Sequence, residues 1–98
     1  MQNKDFEYLK RKVEILKAVS HPVRLSILRD LLENGPKSAG SLNAGKKIDQ
    51  ALISQHLLPM KKVGIVTNKR KGNERHYRIV DKENLVAMLK VFLYGKSG

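Results

Sequence analysis

The chain has 98 residues, and its 20 Lys and Arg against 9 Asp and Glu give a formal net charge of +11. That length allows one small domain, spanning 1–98, and with 5% aromatics and no Trp its core must be built mainly from Leu, Ile and Val. Cys is absent, which excludes disulfides, thiolate metal sites, a cysteine nucleophile and a cysteine redox switch. Met1-Gln2-Asn3-Lys4-Asp5 leads into no apolar stretch of the secretory kind. The most apolar segment, Leu85 to Tyr94, is too short for a bilayer span and contains Lys90. A cytoplasmic, strongly basic domain with no membrane partner is expected, and its leading ligand is a polyanion, nucleic acid before a lipid surface.

Phe6, Leu9, Val13 and Leu16 recur at three- and four-residue spacing and predict an amphipathic helix from about Lys4 to Val19, with Tyr8, Ile15 and Val19 as a second apolar stripe. Ser20-His21-Pro22 interrupts the pattern, and Pro22 suits a first helical position, where its missing N–H costs nothing. Val23, Ile27, Leu28, Leu31 and Leu32 predict a second helix, ended by Asn34-Gly35-Pro36 with Gly35 as a left-handed cap. A short helix from Ser38 to about Gly45 follows, anchored by Ala39 and Leu42 and weakened by Gly40. Lys46-Lys47-Ile48 turns the chain, and Asp49 caps a fourth helix that passes through Ile53 and Leu57 to about Val63. Ile65-Val66-Thr67, the turn Lys71-Gly72-Asn73 and His76 to Val80 make a basic β-hairpin. Asp81 caps a last helix, Glu83 to Tyr94, before a tail expected to fray. The fold class is therefore mainly α with a small β-hairpin (α+β): five helices plus a two-stranded wing, a winged helix-turn-helix by element order and charge placement.

On a wheel of the fourth helix, Ile53, Leu57 and Met60 fall on one side, while Gln50, Ala51, Ser54 and Gln55 fall on the other near its start. Short and amide side chains there can reach base edges in a major groove, Gln pairing bidentately with adenine. A polar, solvated face is the plainer reading of this helix alone. The following segment weighs against it. Lys61, Lys62, Lys69, Arg70, Lys71, Arg75 and Arg78 are opposed only by Glu74, whereas an ordinary solvated face mixes both signs. Phosphate neutralisation with counterion release explains such a concentration, and Gly72-Asn73 supplies a tip that can approach a groove.

The terminal helices carry more apolar surface than one small core can bury. Phe6, Leu9 and Val13 at one end and Leu85, Met88, Leu89 and Phe92 at the other are the expected homodimer interface.

Leu16 to Leu28, which includes Ser20-His21-Pro22-Val23-Arg24-Leu25, resembles the opening signature of ArsR/SmtB-type transcriptional regulators. Ile53-Ser54-Gln55-His56-Leu57 with Val63-Gly64-Ile65-Val66, and Gly72 to Ile79, are similar to that family's recognition helix and wing, with spacing kept over about residues 9 to 93. The resemblance implies a homodimeric winged-helix repressor whose last helix pairs across the dimer.

The departures from the family concern metal sensing. Ser38 and Gly40 stand where many relatives carry Cys-x-Cys, and Glu83 to Tyr94 contains no His. His21, His56 and His76 are scattered, whereas zinc wants four suitable ligands. His21 reads as a weak cap, His56 as a hydrogen-bonded packing residue, and His76 as a wing strand residue near phosphate. No metal, cofactor or metal response is expected, and the sequence names no small-molecule inducer. Leu58 stands where relatives commonly carry Lys, and Pro59 inside the helix predicts a kink or loosening after Gln55. Catalysis is set aside: Ser54 and His56 face different ways on one helix, and there is no glycine-rich phosphate loop. The alternative from another class is a basic RNA-binding or structural domain without duplex-DNA specificity.

Overall fold

A computed structural model describes residues 3–43 and 48–95. Its elements are α1 (Asn3–Val19), α2 (Pro22–Asn34), β1 (Lys37–Ser38), α3 (Ala39–Asn43), α4 (Gln50–Lys62), β2 (Val66–Lys71), β3 (Glu74–Ile79) and α5 (Lys82–Tyr94). All five predicted helices and the hairpin are present. The expected end of the third helix at Gly45, the turn at Lys46-Lys47 and the tail beyond Gly95 lie outside the described residues.

Local chemistry sets most boundaries. The Val23 amide donates to His21 Nδ1 at 3.1 Å, so His21 caps α2 directly ahead of Pro22. Ser41 N–H donates to the Ser38 hydroxyl at 3.1 Å, which starts α3 one residue later than the pattern predicted. Asp49 and Asp81 cap α4 and α5, accepting from the amides of Ala51 and Asn84. Gly35 ends α2 with φ 80 as expected, but its ψ of −169 is extended and not the left-handed helical value of the predicted cap.

Pro59 does not loosen α4. The helix runs unbroken to Lys62, because Pro59 removes only the amide that would have reached back to Gln55, while its carbonyl still accepts from Val63 N–H at 3.2 Å. Gly64, at φ 82, then closes the helix: its N–H donates to Lys61 O and that of Ile65 to Met60 O. These are the paired bonds of a Schellman termination, and they fix the direction in which the hairpin leaves α4.

The sheet has three strands in the order β1-β3-β2, all antiparallel. The sequence predicted a two-stranded wing, and β1 is the addition: Lys37 and Ser38 pair with Tyr77 and His76. Two residues carry no alternation, so this strand exists only through its partner. In the hairpin Val66 faces Ile79, Asn68 faces Tyr77 and Arg70 faces Arg75, up to the Gly72-Asn73 turn.

The core gathers Ile27, Leu28 and Leu31 of α2, Leu42 of α3, Ile53, Leu57 and Met60 of α4, and Leu85, Leu89 and Leu93 of α5, floored by Val66 and Ile79. Helix α1 contributes only its end, Ala18 and Val19, with Ile15 at the margin. The rest of α1 leaves Phe6, Leu9 and Val13 exposed. A radius of gyration of 14.4 Å exceeds the ~13 Å of a compact chain this long.

Candidate nucleic-acid interface

The Asp49 cap and the burial of Ile53, Leu57 and Met60 fix α4 both axially and rotationally. Ala51, Ser54 and Gln55 then lie on the sides turned away from the core, and Gln50, nearer the core side by rotation, is exposed as the first residue of the helix. Gln50 and Ser54 share a cleft of about 200 Å³ with Asn73, Glu74, Arg75 and Tyr77 of the hairpin, Ser38 of β1 and Ala39 of α3. Gln50 and Ser54 at the start of the helix and the tip of the wing thus open onto one space, while Ala51 and Gln55 lie outside its lining.

Gly40 has a specific place in this geometry. A Cβ on it would lie 3.2 Å from Gln50 Oε1, so the residue that weakens α3 by propensity is the one that lets the Gln50 amide lie against it.

The hairpin's register divides its cations between two faces, since residues directly opposite share a face. Arg70 and Arg75 face each other in line with Asn68–Tyr77 and the buried pair Val66–Ile79, whereas Lys69, Lys71 and Arg78 lie on the other side. Sequence proximity had grouped all of them. Arg75 Nη1 donates to Asn68 Oδ1 at 3.2 Å and Arg70 Nε to Gly72 O at 3.1 Å, bonds that stiffen the tip. Like charges directly across a ladder are destabilising, and a polyanion between or beside them removes that cost. His76 Nε2 lies 3.5 Å from Glu74 Oε1, so the wing's one carboxylate turns toward its histidine. Lys61 and Lys62, also exposed, sit at the end of α4 away from the cleft, about 17 Å along the axis from Gln50 at 1.5 Å per residue.

The inner side of α4 is tied to α2 by a feature that the sequence did not reveal. Arg24 Nε donates to His56 Nδ1 at 3.2 Å, and Arg24 Nη1 donates to Ala18 O at the end of α1 at 3.2 Å. Burial, then His21, then the Arg24 guanidinium hold the His56 pKa below its ordinary value of 6.5. His56 is the hydrogen-bonded packing residue expected, but its partner comes from a distant helix.

Two residues assigned to the dimer interface need correction. Leu85 is 3% and Leu89 1% exposed, so both side chains already lie in this chain's own core and have no area left for a partner. Phe6, Leu9, Val13 and Phe92 are exposed and Met88 is half-buried. Exposed Leu58 was noted only as a departure from the family, not as part of the helix face it occupies. Among the described residues, no three His, Asp or Glu side chains are grouped so as to hold a metal ion, and no helix is long and apolar enough to cross a membrane.

The profile of the arsR family of bacterial regulatory proteins matches residues 21–68, from the cap of α2 into β2. Over 75 residues the chain is 40% identical to an HTH-type transcriptional regulator of Methanocaldococcus jannaschii, covering 76% of this chain and 84% of that one. Over 75 residues it is 37% identical to the HTH-type transcriptional repressor SmtB of Mycobacterium tuberculosis; the match takes in 76% of this chain but spans only about half of SmtB, 55%. Among solved structures, the homodimeric winged helix-turn-helix DNA-binding domain of a possible ArsR-family regulator from Mycobacterium bovis superposes with a TM-score of 0.79. That match has 26% identity and covers 94% of this chain and 86% of that domain.

Proposed function

The chain belongs to the arsR family of bacterial regulatory proteins, DNA-binding transcriptional regulators with a winged helix-turn-helix fold, and from that premise we propose that it is a cytoplasmic repressor binding an inverted-repeat operator as a homodimer. Residues 1–98 act as a single DNA-binding domain. Gln50, Ala51, Ser54 and Gln55 read base edges in the major groove. Arg70, Arg75 and Asn73 approach the backbone from the cleft side of the wing, Lys69 and Lys71 from its other face, and Lys61 and Lys62 at the far end of α4. The first and last helices hold the dimer together through Phe6, Leu9, Val13, Met88 and Phe92. The relatives named as repressors and as homodimeric support both parts of this reading.

The observation that carries it is the cleft that Gln50 and Ser54 of α4 share with Asn73 and Arg75 at the tip of the wing. A basic RNA-binding domain needs cations but no such aligned helix face. Selection of bound duplexes from a random DNA pool, with RNA of equal length as competitor, is the test. Enrichment of a symmetric sequence with half-sites about one helical turn apart supports the reading. Equal retention of RNA and unselected DNA overturns it.

A further inference from the structure

Leu58 is 53% exposed and lies on the side of α4 that carries Ala51 and Ser54, about 80° around the axis from Gln50. At 100° per residue it falls about 20° around the axis from Ala51 and about 40° from Ser54 and from Lys62. It lies about 12 Å along the helix from Gln50, a distance of three to four base-pair steps. A single exposed Leu is ordinary on a protein surface; the placement of this one, mid-way along an exposed polar and cationic stripe, is not. Leu52, the other exposed Leu of α4, lies about 120° away around the axis and forms no patch with it.

Resting on the DNA-binding reading above, we propose that Leu58 is a specificity-determining residue that packs on the 5-methyl group of a thymine in each operator half-site. The chemistry leaves little choice of contact. Phosphates and sugars flank the groove and favour the neighbouring lysines. On the groove floor every base edge offers donors and acceptors except thymine, which also offers a methyl. Leu58 has no polar atom and satisfies none of the others. A polar base edge buried beneath it would lose water without a replacement, so Leu58 disfavours cytosine at that position as well as favouring thymine. The Schellman termination at Gly64 and the uninterrupted helix through Pro59 hold Leu58 in register with Ser54 and Gln55.

The test uses the tightest duplex recovered from the random pool. Each thymine is replaced singly by deoxyuridine, which removes the methyl and nothing else, and binding is measured for the wild type, Leu58→Ala and Leu58→Met. One thymine per half-site is expected whose methyl removal weakens wild-type binding roughly three- to fivefold, the equivalent of one buried methyl at about 0.8 kcal/mol. Leu58→Ala should bind the thymine and uracil duplexes alike, and Leu58→Met should keep part of the preference. A thermal melt equal to wild type confirms that the half-exposed position leaves folding intact. Uracil substitution that affects wild type and Leu58→Ala equally, or a selected site with no thymine in reach, overturns the assignment. Recovery of no enriched duplex overturns instead the DNA-binding reading on which it rests.

Discussion

The imidazoles of His21 and His56 lie with ring centroids 4.5 Å apart, tilted by 48°, where the capped start of α2 meets the inner side of α4. Each ring accepts a hydrogen bond at Nδ1, His21 from the Val23 amide and His56 from the Arg24 guanidinium. A protonated imidazole has no lone pair at that nitrogen. The Arg24–His56 hydrogen bond that ties α2 to α4 is therefore made by the neutral form of His56.

Stability should accordingly fall as pH is lowered through the range below 6.5. His56 is held below that value in the folded chain, first by burial and then by His21 and Arg24, so the unfolded chain binds the proton more readily. Its contribution is fully present above about 6.5 and is lost as pH falls toward the folded value. Denaturant midpoints measured between pH 5 and 8 for wild type and His56→Gln, which keeps an acceptor without titrating, should converge at the acid end. Parallel profiles across that range would contradict the assignment.

Gly40→Ala should not destabilise the fold. Alanine favours a helix interior by up to about 1 kcal/mol over glycine, and the atom it crowds is the end of the flexible Gln50 side chain at 3.2 Å. The effect should appear in DNA selectivity. Gln50's amide must give by a few tenths of an ångström, and discrimination at its base pair should drop by part of the about 1–3 kcal/mol that Gln50→Ala removes for a bidentate contact. A large loss of stability with selectivity unchanged would show that the glycine serves packing alone.

The two faces of the wing should behave differently from the helix. Arg75→Ala and Lys71→Ala should each weaken binding to all duplexes and reduce the salt slope by about one unit if each meets a phosphate. Only Arg75→Ala should also alter binding by neighbouring Gln50 and Ser54 variants, because Arg75 shares their cleft. Double-mutant cycles with Gln50→Ala measure this; equal coupling for Lys71 and Arg75 would remove the distinction.

Dimer disruption should separate from unfolding. Phe92 is 69% exposed, so Phe92→Glu should give a folded monomer by sedimentation with an unchanged helical spectrum. Leu89 is buried in the core, and Leu89→Ala should cost about 2–5 kcal/mol of stability. A wild type that sediments as a monomer throughout the micromolar range would end the dimer proposal.

Periodicity and caps made the helices legible in the sequence, because each is a local property: Asp49, Asp81 and the His21-Pro22 pair act on amides two or three residues away. The polar face of α4 was legible for the same reason, since burial of Ile53, Leu57 and Met60 fixes what must point outward. The resemblance to the ArsR/SmtB regulators supplied the family and with it the expectation of a dimer. Tertiary structure decided the features that depend on partners far along the chain. Strand β1 has no pattern of its own and exists by pairing with Tyr77 and His76. Arg24 finds His56 only when α2 crosses α4. Leu89 and Phe92 look alike in an apolar run, and only the position of the core makes one a filler and leaves the other exposed. The division of the wing's cations followed from strand register, which places Arg70 opposite Arg75 and sends the lysines to the other face. Composition counts charges, but register and packing decide which way they point.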